Sequence, residues 1–479
     1  MSKYFNKINL IIIVLPFAVS FAFQPYTKLC DGLGIDGNFY YDMINENNYK
    51  PTDYHLFKSL PAFLIEFCLD HLQFEKSKGN IIDSFRVLNL ISIIASFFCI
   101  NQIFNKFNLA LKIKYFYVFF IFFSFTFLKL PFYNPVTPDY FGFLLSTAFL
   151  YLFLNKKYFY LILILFISYF TNPIVFLIGI VLLIFSNTSH QNLNQSKVSR
   201  IAFFFSCMFG MLILFWATYM IVPMHRAGIE LTKWHIPDTL DVELFPVSAL
   251  LISAFCAYFS YPLFHQSFHF LHFKNLLKVN LFWIVIFIAF MVFKSIVVNL
   301  NNSPTELDDF GHLLYMWPLY FCMKPLIGIS EHIHSLGLLI VFALLMWKDL
   351  VSECSKLFGL GGLIILGLFV LFIIKSEARH TLPFVPFVSL LVARVIPDSF
   401  FNRKNILIVF ITSLILSKIY YPLQLATFSS NPQDFPAQHY FMFFGFSCNY
   451  AMYLIQITIS FFILIYIKKL ISKNDLSSL

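Results

Sequence analysis

Apolar runs long enough to cross a bilayer recur along this chain from end to end, and that recurrence confines it to membrane architectures. An ordinary globular domain carries roughly 25% charged residues. Here 12% of 479 residues are charged, 59% are hydrophobic and the mean hydropathy is +0.77. A soluble enzyme, a disordered tail and a nucleic-acid binder are thereby excluded. The expected fold is an all-α polytopic membrane protein, one integral membrane domain over 1–479 with no separate soluble domain. The 66 Phe and 25 Tyr accompany abundant Ile, Lys and Asn, as in AT-rich genomes, and carry no functional reading.

Reading apolar runs against charged punctuation predicts about 14 membrane segments, near 8–23, 81–103, 115–130, 139–154, 158–171, 173–187, 201–222, 246–263, 281–299, 333–347, 357–375, 383–396, 406–421 and 450–467. Several are shorter than ~20 residues, and 158–171 and 173–187 read as half-helices or tilted pieces. The first run follows Lys3 and Lys7 and contains Pro16 without an A-x-A site, so it reads as a retained anchor rather than a cleaved signal.

The net charge of +9 is a matter of distribution. With the N-terminus inside, the inner loops hold about 18 Lys and Arg in about 81 residues, against about nine in about 160 outside. An even helix number puts Lys468, Lys469 and Lys473 inside as well, so both termini are expected to be cytoplasmic. The long, acidic loops 24–80, 223–245, 300–332 and 422–449 then face outward, and chemistry is expected on that face. Eight cysteines show no CxxC spacing; most read as small buried hydrophobes, and a Cys30–Cys448 disulfide stays open.

The loop 24–80 carries Gly34-Ile35-Asp36-Gly37-Asn38-Phe39-Tyr40-Tyr41-Asp42, and a helical pattern opens at Phe57-Lys58-Ser59-Leu60-Pro61. An Asp between glycines can sit on a tight turn with its carboxylate exposed at the membrane surface, with Tyr40 and Tyr41 as amphipathic rings in the headgroup zone. Such a carboxylate can act as general base toward a hydroxyl, or as a metal ligand. The plainer reading is a solvated turn with an aromatic belt.

A first helix followed by a long outer loop with Asp-Gly-x-Phe-Tyr-Tyr resembles the GT-C superfamily of polytopic glycosyltransferases. The resemblance implies transfer of a sugar from a polyprenyl-phosphate donor to a glycan, lipid or protein acceptor outside the cytoplasm, with Asp36 as catalytic base. Asp31 and Asp42 lack the paired glycines. In Lys129-Leu130-Pro131-Phe132-Tyr133-Asn134-Pro135-Val136-Thr137-Pro138-Asp139, Asp139 stands where the chain re-enters the bilayer, a costly place for a charge without a task or partner. By the same resemblance it is a second acidic residue that orients the acceptor or shares a divalent cation, Mg or Mn, with Asp36. Service as the N-cap of the next helix is the alternative.

Late in the chain, Glu377-Ala378-Arg379-His380-Thr381-Leu382-Pro383 resembles the Arg-(Tyr/His)-x-x-Pro element of GT-C and related transferases. Arg379 can hold a phosphate bidentately, with His380 as a further donor, where the departing lipid phosphate needs positive charge. A Glu377–Arg379 or Arg–headgroup contact is the alternative. Lys324 and Arg226 are further candidates for the donor phosphate, and Trp234 and His312 join Tyr40 and Tyr41 as candidate substrate contacts. Glu306, Asp308, Asp309, Glu331, His332 and His334 read as a solvated acidic loop. His265, His269 and His272 share a helical face but fall inside and read as interfacial; Gly359, Gly361, Gly362 and Gly367 read as helix-packing residues.

The expected function is therefore an inverting membrane glycosyltransferase in a bacterial inner membrane, surrounded by membrane lipids. Transport of lipid-linked sugars is the alternative, disfavoured by few intramembrane charges and no repeat between halves. A polymerase or ligase would usually place a large arginine-bearing loop in the second half, and the outer Asp, Arg and His clusters argue against a mere scaffold.

Overall fold

The computed structural model describes residues 7–27, 29–46, 51–190, 193–226, 244–271, 279–301, 321–322, 324–375, 377–419 and 450–476, and among these every regular element is helical. Among the described residues six helices are long and apolar enough to cross a membrane, or seven if one bent pair counts as a single span. Trp234, His312, His272 and Cys448 lie outside the described residues, as do Glu306, Asp308 and Asp309; Cys30 is a free thiol.

The chain opens with α1 (Lys7–Phe23), which contains Pro16, and continues in the first loop with α2 (Ile35–Asn45) and α3 (Leu60–His71). Pro61 sits in the first turn of α3, where its missing N–H costs nothing. Next come α4 (Lys78–Lys106) and α5 (Leu111–Phe122). The apolar run 115–130 is not one helix: α5 and the short turns to Tyr133 meet at 72°. The next three are short, α6 (Asp139–Leu154), α7 (Tyr158–Tyr169) and α8 (Pro173–Ile184). Asn172 caps α8, its Oδ1 accepting the Ile174 N–H at 3.1 Å.

Two long helices, α9 (Gln195–Arg226) and α10 (Phe245–Phe268), pair along a seam where Gly210 lies against Ala257 and the Ser253 carbonyl. Small residues allow that approach in lipid. After α11 (Leu281–Asn301), the run 333–347 divides into α12 (Ile327–Leu336) and α13 (Leu338–Leu345), broken at Gly337 with φ 68°. All ten residues of α12 are buried, so Glu331, His332 and His334 belong to the interior and not to a solvated loop. His334 bonds the Gln456 carbonyl at 3.0 Å and His332 the Gly328 carbonyl at 2.7 Å.

The expected inner loop 348–356 is instead the first part of α14 (Trp347–Ile374), and Gly359, at φ 58°, bends this helix without a loop. Of the glycines read as packing residues, Gly361 packs on the backbone of Val181 and Leu182, whereas Gly359 makes the bend. The chain ends with α15 (Val385–Val395), α16 (Arg403–Ser417) and α17 (Tyr450–Leu476). The interior is aromatic: Phe116, Phe120, Phe342 and Phe400 meet edge to face, the arrangement their quadrupoles favour.

Candidate functional site

Four separate stretches deliver charged side chains to one place. Gly34, at φ 75° and ψ 175°, turns the chain into α2 without a side-chain cap and leaves Asp36 in the first helical turn. Asp36 is thus on a helix start and not on a tight turn: only Gly34 needs a backbone that L-residues avoid, while Gly37 is helical and small because Val136 lies against it. A carboxylate at a helix N-terminus is favoured by the helix dipole. The second loop, ending at Pro138, puts Asp139 at the first position of α6, buried to 6% exposure. Pro138 holds the cap position and no side chain caps this helix, so the N-cap role does not fall to Asp139.

Lys375 follows directly on α14, and Glu377 leads into the 3₁₀ turn Ala378–Phe384. That turn is tied to α6 by the Ser146 hydroxyl, which donates to the Pro383 carbonyl at 2.5 Å. Lys58 stands just before α3, whose Leu60 N–H donates to the Phe170 carbonyl at 3.1 Å, and Phe57 stacks on Phe170.

Arg379 is the hub. Its Nη1 meets Asp36 Oδ2 at 2.5 Å across 343 residues of sequence, and its Nε and Nη2 both reach Glu377 Oε1 at 2.8 Å. Glu377 Oε2 faces Lys375 Nζ at 2.6 Å and His380 Nδ1 at 3.2 Å, and Lys375 Nζ lies 2.8 Å from His380 Nδ1. The Glu377–Arg379 contact read from sequence exists, but as a buried pair. Asp139 makes no hydrogen bond or ion pair among the described residues, yet it lies in the field of Arg379, Lys58, Asp36 and Glu377.

These surroundings set the charge states. Burial would raise the Asp36 carboxyl, but Arg379 and then Lys58 outweigh it and hold it below its usual value. Burial pushes the Lys58 ammonium down to about 8, with Asp139 opposing. Burial likewise pushes His55 down to about 4, with Asp36 opposing, and drives His380 well below its ordinary range against the pull of Glu377. Both imidazoles are therefore neutral at pH 7. Glu377 stays ionised: burial pushes it up, and the facing Lys375 and Arg379, beside the neutral His380 ring, hold it well below the carboxylate range. Three carboxyl groups thus meet three basic side chains. Asp36 keeps 27% of its side chain accessible while Glu377 keeps 5%, so the cluster opens on the Asp36 side.

Of the residues expected to act together, Asp36, Asp139, Arg379 and His380 do meet here. Tyr40 is buried to 2% against His55 and Phe85 and belongs to the packing of the first loop; Tyr41 lies under Lys78. Asp31 pairs with Lys78 at 2.9 Å. Lys324 is buried over the Tyr450 ring, and Arg226 closes α9. His265 and His269 gather with His190, whose ring stacks on His269 at 4.6 Å. Sequence reasoning passed over Lys58, Lys375 and His55. A signal for Lys58 existed in a lone cation between Phe57 and the start of a helix.

Among the described residues no three His, Cys, Asp or Glu side chains form a metal-holding group. Asp36 and Asp139 offer two carboxylates, but Arg379 occupies one of them and cations surround both. The donor set does not fit a divalent ion. No protein-family model matches this chain, and no curated protein and no solved structure matches it either.

Proposed function

We propose that the chain is a GT-C-like membrane glycosyltransferase, moving a sugar from a polyprenyl-phosphate donor to a glycan, lipid or protein hydroxyl at the outer face of a bacterial inner membrane. In this reading the short and broken helices count toward about 14 full or partial crossings, with both termini cytoplasmic. The observation that carries it is the convergence of Asp36, Asp139 and Arg379, from the first, second and late loops, in one cluster of acidic and basic side chains.

The reaction is an inverting displacement. The acceptor O–H gives its proton to the Asp36 carboxylate as its oxygen bonds the anomeric carbon. The bond from that carbon to the phosphate oxygen breaks, and its electron pair leaves on the phosphate, whose charge Arg379 and Lys58 stabilise. Asp139 orients the acceptor, and His380 keeps Lys375 and Glu377 in place around Arg379. Holding both substrates in one cleft supplies much of the rate.

The test is mass spectrometry of lipid-linked sugars and surface glycans in three strains: wild type, deletion, and deletion carrying Asp36→Asn. Loss of one sugar on deletion, restored by wild type and not by Asp36→Asn, is the expected result. Full restoration by Asp36→Asn removes Asp36 as base and moves transport of lipid-linked sugars ahead.

A further inference from the structure

Arg379 presents two edges to two carboxylates of unequal standing. The Nε and Nη2 edge is held by Glu377, which is 5% accessible and is clamped again by Lys375 at 2.6 Å. The Nη1 edge is held by Asp36 at 2.5 Å, and Asp36 is the more accessible partner at 27%. Asp36 also stands two residues beyond Gly34, in the first turn of a loop helix. If one of the two partners gives way to an incoming anion, it is Asp36.

We propose that Asp36 and a phosphate ester compete for the Nη1 edge of Arg379, so that the phosphate binds by displacing the Asp36 carboxylate, with Glu377 as the positioning residue that keeps the guanidinium in place. This rests on the phosphate-binding reading of Arg379 given above and adds an order of events. While paired, Asp36 has its lone pairs engaged and is a poor base. The arriving phosphate takes over Nη1, and the released carboxylate turns to the acceptor hydroxyl. The site arms its base only when a donor is present, and water or acceptor alone meets a carboxylate already engaged. The exchange also preserves charge balance at Arg379, since one anion replaces another in a poorly hydrated place where an unpaired charge is costly.

The experiment titrates farnesyl phosphate into the full-length protein in nanodiscs, reading the dissociation constant of wild type, Asp36→Asn, Asp36→Ser, Arg379→Gln and Asp70→Asn. Asp70 pairs with Lys76 and controls for the loss of one carboxylate elsewhere. Neutralising Asp36 should tighten binding about tenfold, the scale of one charge-assisted hydrogen bond removed from competition. Asp70→Asn should leave binding unchanged and Arg379→Gln should weaken it. Wild-type binding that Asp36→Asn and Asp36→Ser leave unchanged or weaken overturns the competition while leaving the phosphate site standing. Absence of binding to wild type and both Asp36 variants overturns the phosphate reading itself.

Discussion

Glu377 accepts from both the Nε and the Nη2 of Arg379 through a single oxygen at 2.8 Å, while its other oxygen faces Lys375 at 2.6 Å. One buried carboxylate therefore orients two cations. Glu377→Ala removes the acceptor they share, and the expected loss is about 3–5 kcal/mol of stability, as for other broken buried pairs. Glu377→Gln, which keeps the shape and one acceptor, should lose less. Thermal unfolding in detergent reads the difference; equal melting of the Ala variant and wild type would show that the cluster does not support the fold.

Lys58 gives the site a pH limit. Its ammonium is pushed down to about 8 by burial, so it carries charge below that pH and loses it above. Affinity for a polyprenyl phosphate should therefore fall as pH rises through 8, by up to about tenfold at one unit beyond, as for any single ionisation. Lys58→Arg keeps its charge in this range and should move the limit upward. A titration of farnesyl phosphate binding between pH 6.5 and 9.5 checks both.

Gly34→Ala tests how Asp36 is aimed. At φ 75° and ψ 175° the backbone is one that essentially only glycine adopts, and a Cβ there meets the Asn134 side chain. The strain is worth about 1–3 kcal/mol. We expect a lower melting temperature and transfer reduced further than stability alone accounts for, because the start of α2 carries Asp36. Transfer that simply follows the folded fraction would detach the turn from the chemistry.

Gly328→Ala probes the opposite wall. A Cβ at Gly328 runs into the Ile374 carbonyl, one residue before Lys375. Overpacking of this kind costs about 1–3 kcal/mol. Reduced yield in the membrane fraction and a lowered melting temperature are expected, whereas Gly79→Ala, where nothing lies within 4 Å, should behave as wild type.

Much of this was legible because charged residues are scarce in so apolar a chain. Asp36, Asp139 and Arg379 each stand in a short polar motif beside a long apolar run, and helix ends bring such motifs to a common level. The contact between Asp36 and Arg379 was not legible, since 343 residues separate them and no local pattern encodes a tertiary pair. Nor were the breaks at Gly337 and Gly359, because apolar composition continues through both and only the backbone angles reveal them. The polar residues of α12 misled for the reverse reason: Glu331, His332 and His334 look like solvent-facing residues, yet neighbouring helices cover them. Polarity marks a cost of burial, and it does not say whether the cost has been met.

The two helices Tyr158–Tyr169 and Pro173–Ile184 are 12 residues each. At 1.5 Å per residue each reaches about 18 Å, little over half of a hydrocarbon core of ~30 Å. Phe159, Leu163 and Phe166 on the first of them are exposed, and a bilayer thins to match a lipid-facing helix this short. Phe170, at the end of this helix, accepts the Leu60 N–H beside Lys58. Such thinning would lie at the flank of the charge cluster and would bring headgroups toward it, shortening the climb for the lipid-linked donor proposed above.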